Sequence, residues 1–140
     1  MNVARRLKTK LINYLEPLKP DAEIAVVDAK NLNDATLPVI AVEITNESAH
    51  SQALWNVINC QVSILYRVHA GDVSQLDLDN HLDIIEGLLE SPEMMISLSD
   101  ETDLTIFNWL YQGSVQDWND SSIDTVFTAE CVVTRNGIHS

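Results

Sequence analysis

Apolar and polar residues alternate along much of the chain, and this alternation predicts strands. In residues 57–68 every second residue is apolar, from Ile58 to Val68, and the intervening residues are mainly polar. Successive side chains of a strand point to opposite faces, so a period of two predicts a sheet with one buried face. The same pattern predicts strands over residues 38–45, 104–112 and 123–134, and a short apolar run predicts another over residues 23–28.

Strict alternation in residues 104–112 gives this strand two apolar faces. One face is predicted to hold Leu104, Ile106 and Leu110. The other is predicted to hold Phe107, Trp109 and Tyr111. One layer of helices covers only one side of a sheet, so the aromatic face belongs either to the core or to a contact with another protein.

Two segments have helical spacing instead. Leu7, Leu11 and Leu15 recur in residues 3–16, and Pro17 ends that helix. In residues 72–91, a stripe of Leu78, Leu82, Ile85 and Leu89 lies beside an acidic stripe of Asp79, Asp83, Glu86 and Glu90. Ser74 is a plausible N-cap and Pro92 a stop. The whole pattern predicts a single α+β domain over residues 1–140: an antiparallel or mixed sheet with two helices on one face, in the order α-β-β-β-α-β-β.

The charge of the chain is strongly negative and unevenly distributed. The 140 residues carry a net charge of −13, and four of the eight basic residues lie in the first ten positions. Thirteen of the 21 acidic residues lie between Asp72 and Asp124. Such a surface repels nucleic acid, which argues against sequence-specific DNA binding. The acidity either keeps the protein soluble or prevents DNA from sticking as it slides past.

Candidate chemistry is sparse. The sequence has no glycine-rich phosphate loop, no known catalytic motif and no clustered metal ligands, so we expect neither an enzyme nor a bound cofactor or metal. Cys60 and Cys131 fall in predicted strands and are interpreted as small buried residues. No apolar run approaches the ~20 residues of a membrane helix, and the first residues lack the apolar stretch of a signal peptide. A protein without membrane contact that stays in its compartment of synthesis is expected.

Some apolar and basic residues are candidates for contacts with other proteins. Leu54 and Trp55 close a polar segment, and Trp118 lies in a polar connection over residues 113–122. Aromatic residues at such positions are enriched at protein interfaces. The predicted interface residues are Leu54, Trp55, Trp109, Tyr111, Trp118, Arg5 and Arg6.

The whole-chain plan resembles the tail terminator (tail completion) proteins of long-tailed bacteriophages. The resemblance covers nearly all 140 residues. Its parts are a basic first helix ending in Leu15-Glu16-Pro17, the Leu37-Pro38-Val39-Ile40-Ala41-Val42 strand, a long strand over 59–68, a helix over 77–90, and a closing pair over 104–112 and 123–134. There is no motif from which to transfer individual functional residues.

The resemblance implies a structural role in the virion, after assembly in the host cytoplasm. A hexameric ring would cap the head-proximal end of the tail tube, stop its polymerisation and contact the neck proteins and, in a contractile tail, the sheath. DNA would pass through the lumen without specific binding. The residues predicted to lie in loops lining that lumen are Asp100, Glu101, Asp103, Asp117 and Asp120. The alternatives are another head–tail connector, such as a stopper, or a small-molecule binding domain.

Overall fold

The computed structural model describes residues 3–51, 54–91, 93–99 and 104–135, with the backbone alone for residues 46–51, 54–56, 95, 96, 107 and 135. They form one five-stranded sheet with three α-helices against one face. The helices are α1 (Val3–Leu15), α2 (Gln75–Glu90) and α3 (Glu93–Leu98). The strands are β1 (Ala25–Asp28), β2 (Val39–Ser51), β3 (Leu54–His69), β4 (Leu104–Trp118) and β5 (Ser122–Arg135).

The sheet is mixed. Its strand order is β1-β2-β3-β5-β4, with β1 parallel to β2 and every other pair antiparallel. The α+β class and the predicted order of elements are therefore confirmed, with α3 added after α2. Sequence reasoning took Pro92 as the end of helical structure, but six residues after it form α3 and bury Met94 and Leu98. A helix this short is too brief to display a helical period, so its pattern was missed.

Helix α1 packs on the sheet through the side chains predicted to face it. Ala4, Leu7, Leu11 and Leu15 are buried because they recur every three or four residues on one side of the helix. A 3₁₀ turn over Glu16–Leu18 follows, and Pro17 within it ends the α-helix as predicted.

Helix α2 begins at the predicted cap. The Ser74 side chain accepts a hydrogen bond from the backbone N–H of Asp77 at 3.1 Å, which satisfies one of the unpaired donors at the helix start. Leu78, Ile85 and Leu89 are buried in the same core as the α1 leucines. We call the side of the sheet that these helices cover the helix face, and the opposite side the open face.

Three strands extend beyond their predicted ends. Strand β2 continues to Ser51 and β3 begins at Leu54, so Leu54 and Trp55 open a strand and do not close a long loop. Strand β4 continues to Trp118, so Asp117 and Trp118 lie in a strand and not in the predicted connection. The mainly polar sequences of residues 46–51 and 113–118 concealed the extensions of β2 and β4, because neither shows apolar alternation.

Strand β4 departs from strict alternation. Its pairing with β5 shifts by one residue between Phe107 and Leu110 and again between Tyr111 and Gly113. Each bulge inserts one extra residue and reverses which side chains face the core. The predicted faces are therefore wrong beyond the first bulge: Trp109 and Tyr111 pack on the helix face with Ile106, and Leu110 is on the open face.

Candidate functional site

The open face of the sheet carries an apolar row that crosses three strands. Val115 of β4 pairs with Val126 of β5, and Val126 lies opposite Leu65 of β3. Val115 is 73% exposed, and Leu110 on the same strand is 59% exposed. The row continues into Ala41 of β2, which is buried. Apolar side chains of this exposure on the uncovered side of a sheet mark a candidate contact surface.

Strand β4 also forms one border of the sheet. Within the described residues it pairs with β5 alone, so the backbone along its other side has no strand partner. Such an edge is a template for pairing with another chain unless bulges or charges disrupt it. The two bulges of β4, at Asn108 (φ 55°) and Gly113 (φ 104°), interrupt it in this way. Side-chain contacts on the open face are therefore a better candidate for recognition than strand addition.

Trp109 and Tyr111, two predicted interface residues, have partners within the chain. The Trp109 Nε1–H donates to the Leu89 carbonyl oxygen at 2.7 Å, and the Tyr111 hydroxyl donates to Glu86 Oε2 at 2.7 Å. Burial and the Glu86 carboxylate raise the pKa of Tyr111, which keeps its hydroxyl protonated as the donor. Both aromatic side chains fasten β4 to α2.

Of the remaining predicted interface residues, the structure describes the side chains of three and only the backbone of two. Trp118 is 57% exposed at the end of β4, where its Nε1–H donates to Gln116 Oε1 at 2.8 Å. Arg5 and Arg6 are exposed on α1. For Leu54 and Trp55 the structure describes the backbone alone, so their predicted contacts lie outside the described side chains.

The predicted lumen residues are placed only in part. Asp117 is exposed and pairs across the ladder with Asp124, which forms a two-contact ion pair with Arg67 at 2.8 and 2.9 Å. Asp120 is exposed in the turn between β4 and β5. These two acidic side chains lie at one end of the sheet. Asp100, Glu101 and Asp103 lie outside the described residues.

A polar cavity that sequence reasoning missed lies where β3 ends and α2 begins. It has a volume of about 350 Å³ and contains the Tyr66 hydroxyl hydrogen-bonded to His81 Nδ1 at 2.7 Å. Burial, together with Asp21, raises the pKa of Tyr66 to about 12, so its hydroxyl stays protonated at neutral pH. Alternation predicted only that Tyr66 points inward, and no sequence signal joined it to a histidine 15 residues away.

The cysteines are buried, as predicted. Cys60 and Cys131 pair directly across β3 and β5, and neither forms a disulfide. Burial and the neighbouring Cys60 raise the pKa of Cys131 to about 12, which disfavours the reactive thiolate. Among the described residues, no cluster of three or more His, Cys, Asp or Glu side chains has the arrangement of a metal site. No described helix has the length and apolarity needed to cross a membrane.

The described residues thus offer three candidate contact surfaces: the open face beside β4, the acidic helix α2 and the basic start of α1. No protein-family model matches this chain, and the search of curated proteins returned no match.

Proposed function

We propose that the protein is a structural component of a long-tailed bacteriophage that caps the head-proximal end of the tail tube as a ring. In this role it ends tube polymerisation and joins the tail to the neck. The observation that carries the proposal is the pair of exposed apolar side chains that β4 presents on the open face, Leu110 and Val115. A monomer gains nothing by exposing these side chains, whereas an assembled subunit would bury them against its partners.

The distribution of charge supports a role around DNA. The chain carries 21 acidic and eight basic residues, and Asp117 and Asp120 are exposed together at one end of the sheet. An acidic wall repels the phosphate backbone, so DNA would pass through the lumen of the ring without binding. The tube protein and the neck protein are the partners that this position requires, with the sheath as a third in a contractile tail.

The test is removal of the gene from the phage or prophage that encodes this chain, followed by electron microscopy of the lysate. Loss of a terminator leaves the tube free to grow, so we expect tails longer than normal that lack heads. Loss of a stopper instead leaves tails of normal length beside separate heads. Normal tails attached to heads in the deletion strain would overturn the proposal.

Complementation tests the open face itself. The double variant Leu110→Glu/Val115→Glu adds charges to two exposed positions and should preserve the fold while failing to restore normal tails. Leu18→Glu is the matched control, because Leu18 is also exposed but lies in the turn after α1. Restoration by both variants would show that the open face is not a contact surface.

The alternative of a small-molecule binding domain rests on the cavity at Tyr66 and His81. Its polar lining includes four carboxylates, Asp21, Glu23, Asp72 and Asp77, which favour a cationic ligand. Normal tails in the deletion strain would favour this alternative over an assembly role.

A further inference from the structure

The outer side of α2 exposes apolar surface that the chain does not cover. Leu76 is 70% exposed and Ile84 is 44% exposed. With about 100° per residue, Leu76, Asn80 and Gly87 lie within a narrow sector, about 180° from the buried Leu78 and Ile85. We call the surface formed by Leu76, Asn80, Asp83, Ile84 and Gly87 the α2 ridge. It points directly away from the sheet.

No contact within the described residues explains why position 87, in the middle of the α2 ridge, is a glycine. A Cβ added there would meet no atom within 4 Å, so no close internal packing requires glycine. A glycine inside a helix also destabilises it relative to alanine. A glycine on an exposed helix side instead permits the close approach of another backbone, as at tight helix–helix contacts.

The flanks of the ridge are acidic and unneutralised. Helix α2 contains Asp77, Asp79, Asp83, Glu86 and Glu90 but no lysine or arginine. Within the described part of the chain no ion pair involves α2. Glu86 and Glu90 also lie near the helix C-terminus, where the helix dipole favours positive charge. A cationic partner would relieve both the mutual repulsion and this unfavourable placement.

The same chain carries a matching surface on α1. Arg5 and Arg6 are exposed there, and the exposed Thr9 lies between them around the helix. Because the Thr9 side chain is short, the surface of α1 between the two arginines protrudes little. Half of the basic residues of the chain lie in this first helix.

We infer that the α2 ridge of one copy binds the basic side of α1 of a second copy, with Gly87 admitting the close approach. The two surfaces lie on different elements, so one copy can bind a second through α2 and a third through α1. Such a heterologous contact forms a ring when its rotation closes, which is the arrangement that the proposed function requires. The inference rests on the proposed function, because it specifies how the subunits of that ring meet.

Charge reversal tests the contact in the full-length protein by light scattering after size exclusion. The variants Arg5→Glu/Arg6→Glu and Asp79→Lys/Asp83→Lys each place like charges opposite one another. Each should weaken association of the free protein about tenfold or more. The control Asp34→Lys/Asp120→Lys makes the same charge change as Asp79→Lys/Asp83→Lys at exposed residues away from both helices, and it should leave association unchanged.

Mixing the two variants distinguishes a specific contact from a general charge effect. In the mixture every contact regains opposite charges, so the assembled mass should return, as it should in the variant carrying all four changes. The substitution Gly87→Gln should move two measurements in opposite directions, raising the urea midpoint of the subunit and weakening its association.

The outcomes separate this inference from the proposed function. A wild-type protein that stays monomeric at all concentrations, or a mixture that stays dissociated, overturns the α1–α2 contact. Either result leaves the tail-length experiment to decide the proposed function. Association of wild type that neither reversal affects assigns the ring contact to another surface.

Discussion

At the scale of single residues, two hydrogen bonds between β4 and α2 give aromatic side chains a role in holding the fold together. Trp109 and Tyr111 each use an apolar ring to fill space and a polar atom to bond α2, at Leu89 and Glu86 respectively. An aromatic residue with a polar group is stable in a half-buried position only when that group has a partner. Because Trp109 and Tyr111 are used within the fold, they are less available for contacts with other proteins than the sequence indicated.

The Tyr111–Glu86 bond should contribute measurably to stability. Tyr111→Phe removes a donor to a charged acceptor and should lower the free energy of unfolding by about 1–2 kcal/mol in urea titrations. Tyr14→Phe is the control, because the described residues provide no hydrogen bond to the Tyr14 hydroxyl, and it should change little. Equal effects of the two substitutions would mean that the Glu86 bond adds nothing.

Asp28 makes the docking of α1 sensitive to acid. Burial alone would raise the pKa of Asp28, but the Lys30 backbone N–H and the Lys8 ammonium at 3.0 Å lower it below its usual value. The charged form therefore stabilises the fold above the unfolded pKa near 4, and this stabilisation is lost as pH falls through the lower folded value.

Asp28→Asn should accordingly lower the unfolding free energy at neutral pH by up to about 1 kcal/mol, since the pair is only partly buried. The difference between variant and wild type should disappear in strong acid, where both side chains are neutral. Urea titrations across pH 2 to 7 measure it. A difference that persists at the acidic end would assign the effect to something other than the Asp28 charge.

At the scale of elements, β4 is where pattern and structure disagree. Alternation assumes one residue of β4 for each residue of β5, and two bulges break this assumption. Gly113 occupies a positive φ of 104°, a backbone conformation that residues with a Cβ rarely adopt. The glycine in the sequence was compatible with a bulge, but its position relative to Tyr111 needed the pairing partner.

Gly113→Ala should therefore destabilise the protein by about 1–2 kcal/mol, although a Cβ there has open space. The control is Gly71→Ala in the turn after β3, where a Cβ also meets no atom and the backbone is not at positive φ. It should be neutral or slightly stabilising. Thermal unfolding compares the two, and a neutral Gly113→Ala would show that the second bulge carries no conformational strain.

At the scale of the whole molecule, charge and apolar exposure are separated in space. Basic side chains are exposed on α1, acidic ones on α2 and at the β4–β5 turn, and apolar ones on the open face and the α2 ridge. A subunit with several distinct, complementary surfaces is suited to an assembly in which each copy meets more than one neighbour. This separation is the common basis of the proposed ring and of the α1–α2 contact within it.

The sequence by itself determined the α+β class, the order of the main elements and the buried face of β3 and β5. These follow from local periodicity, because the spacing of apolar residues in a helix or strand fixes which side chains share a face. The N-cap at Ser74 and the end of α1 at Pro17 are equally local.

Only the tertiary structure decided the pairing-dependent features. The parallel pairing of β1 with β2, the bulges of β4, the Tyr66–His81 bond and the isolation of Gly87 on an exposed crest depend on neighbours distant in the sequence. Periodicity carries information about one element at a time. Which element lies opposite, and which surface is left uncovered, is set by how all of them pack together.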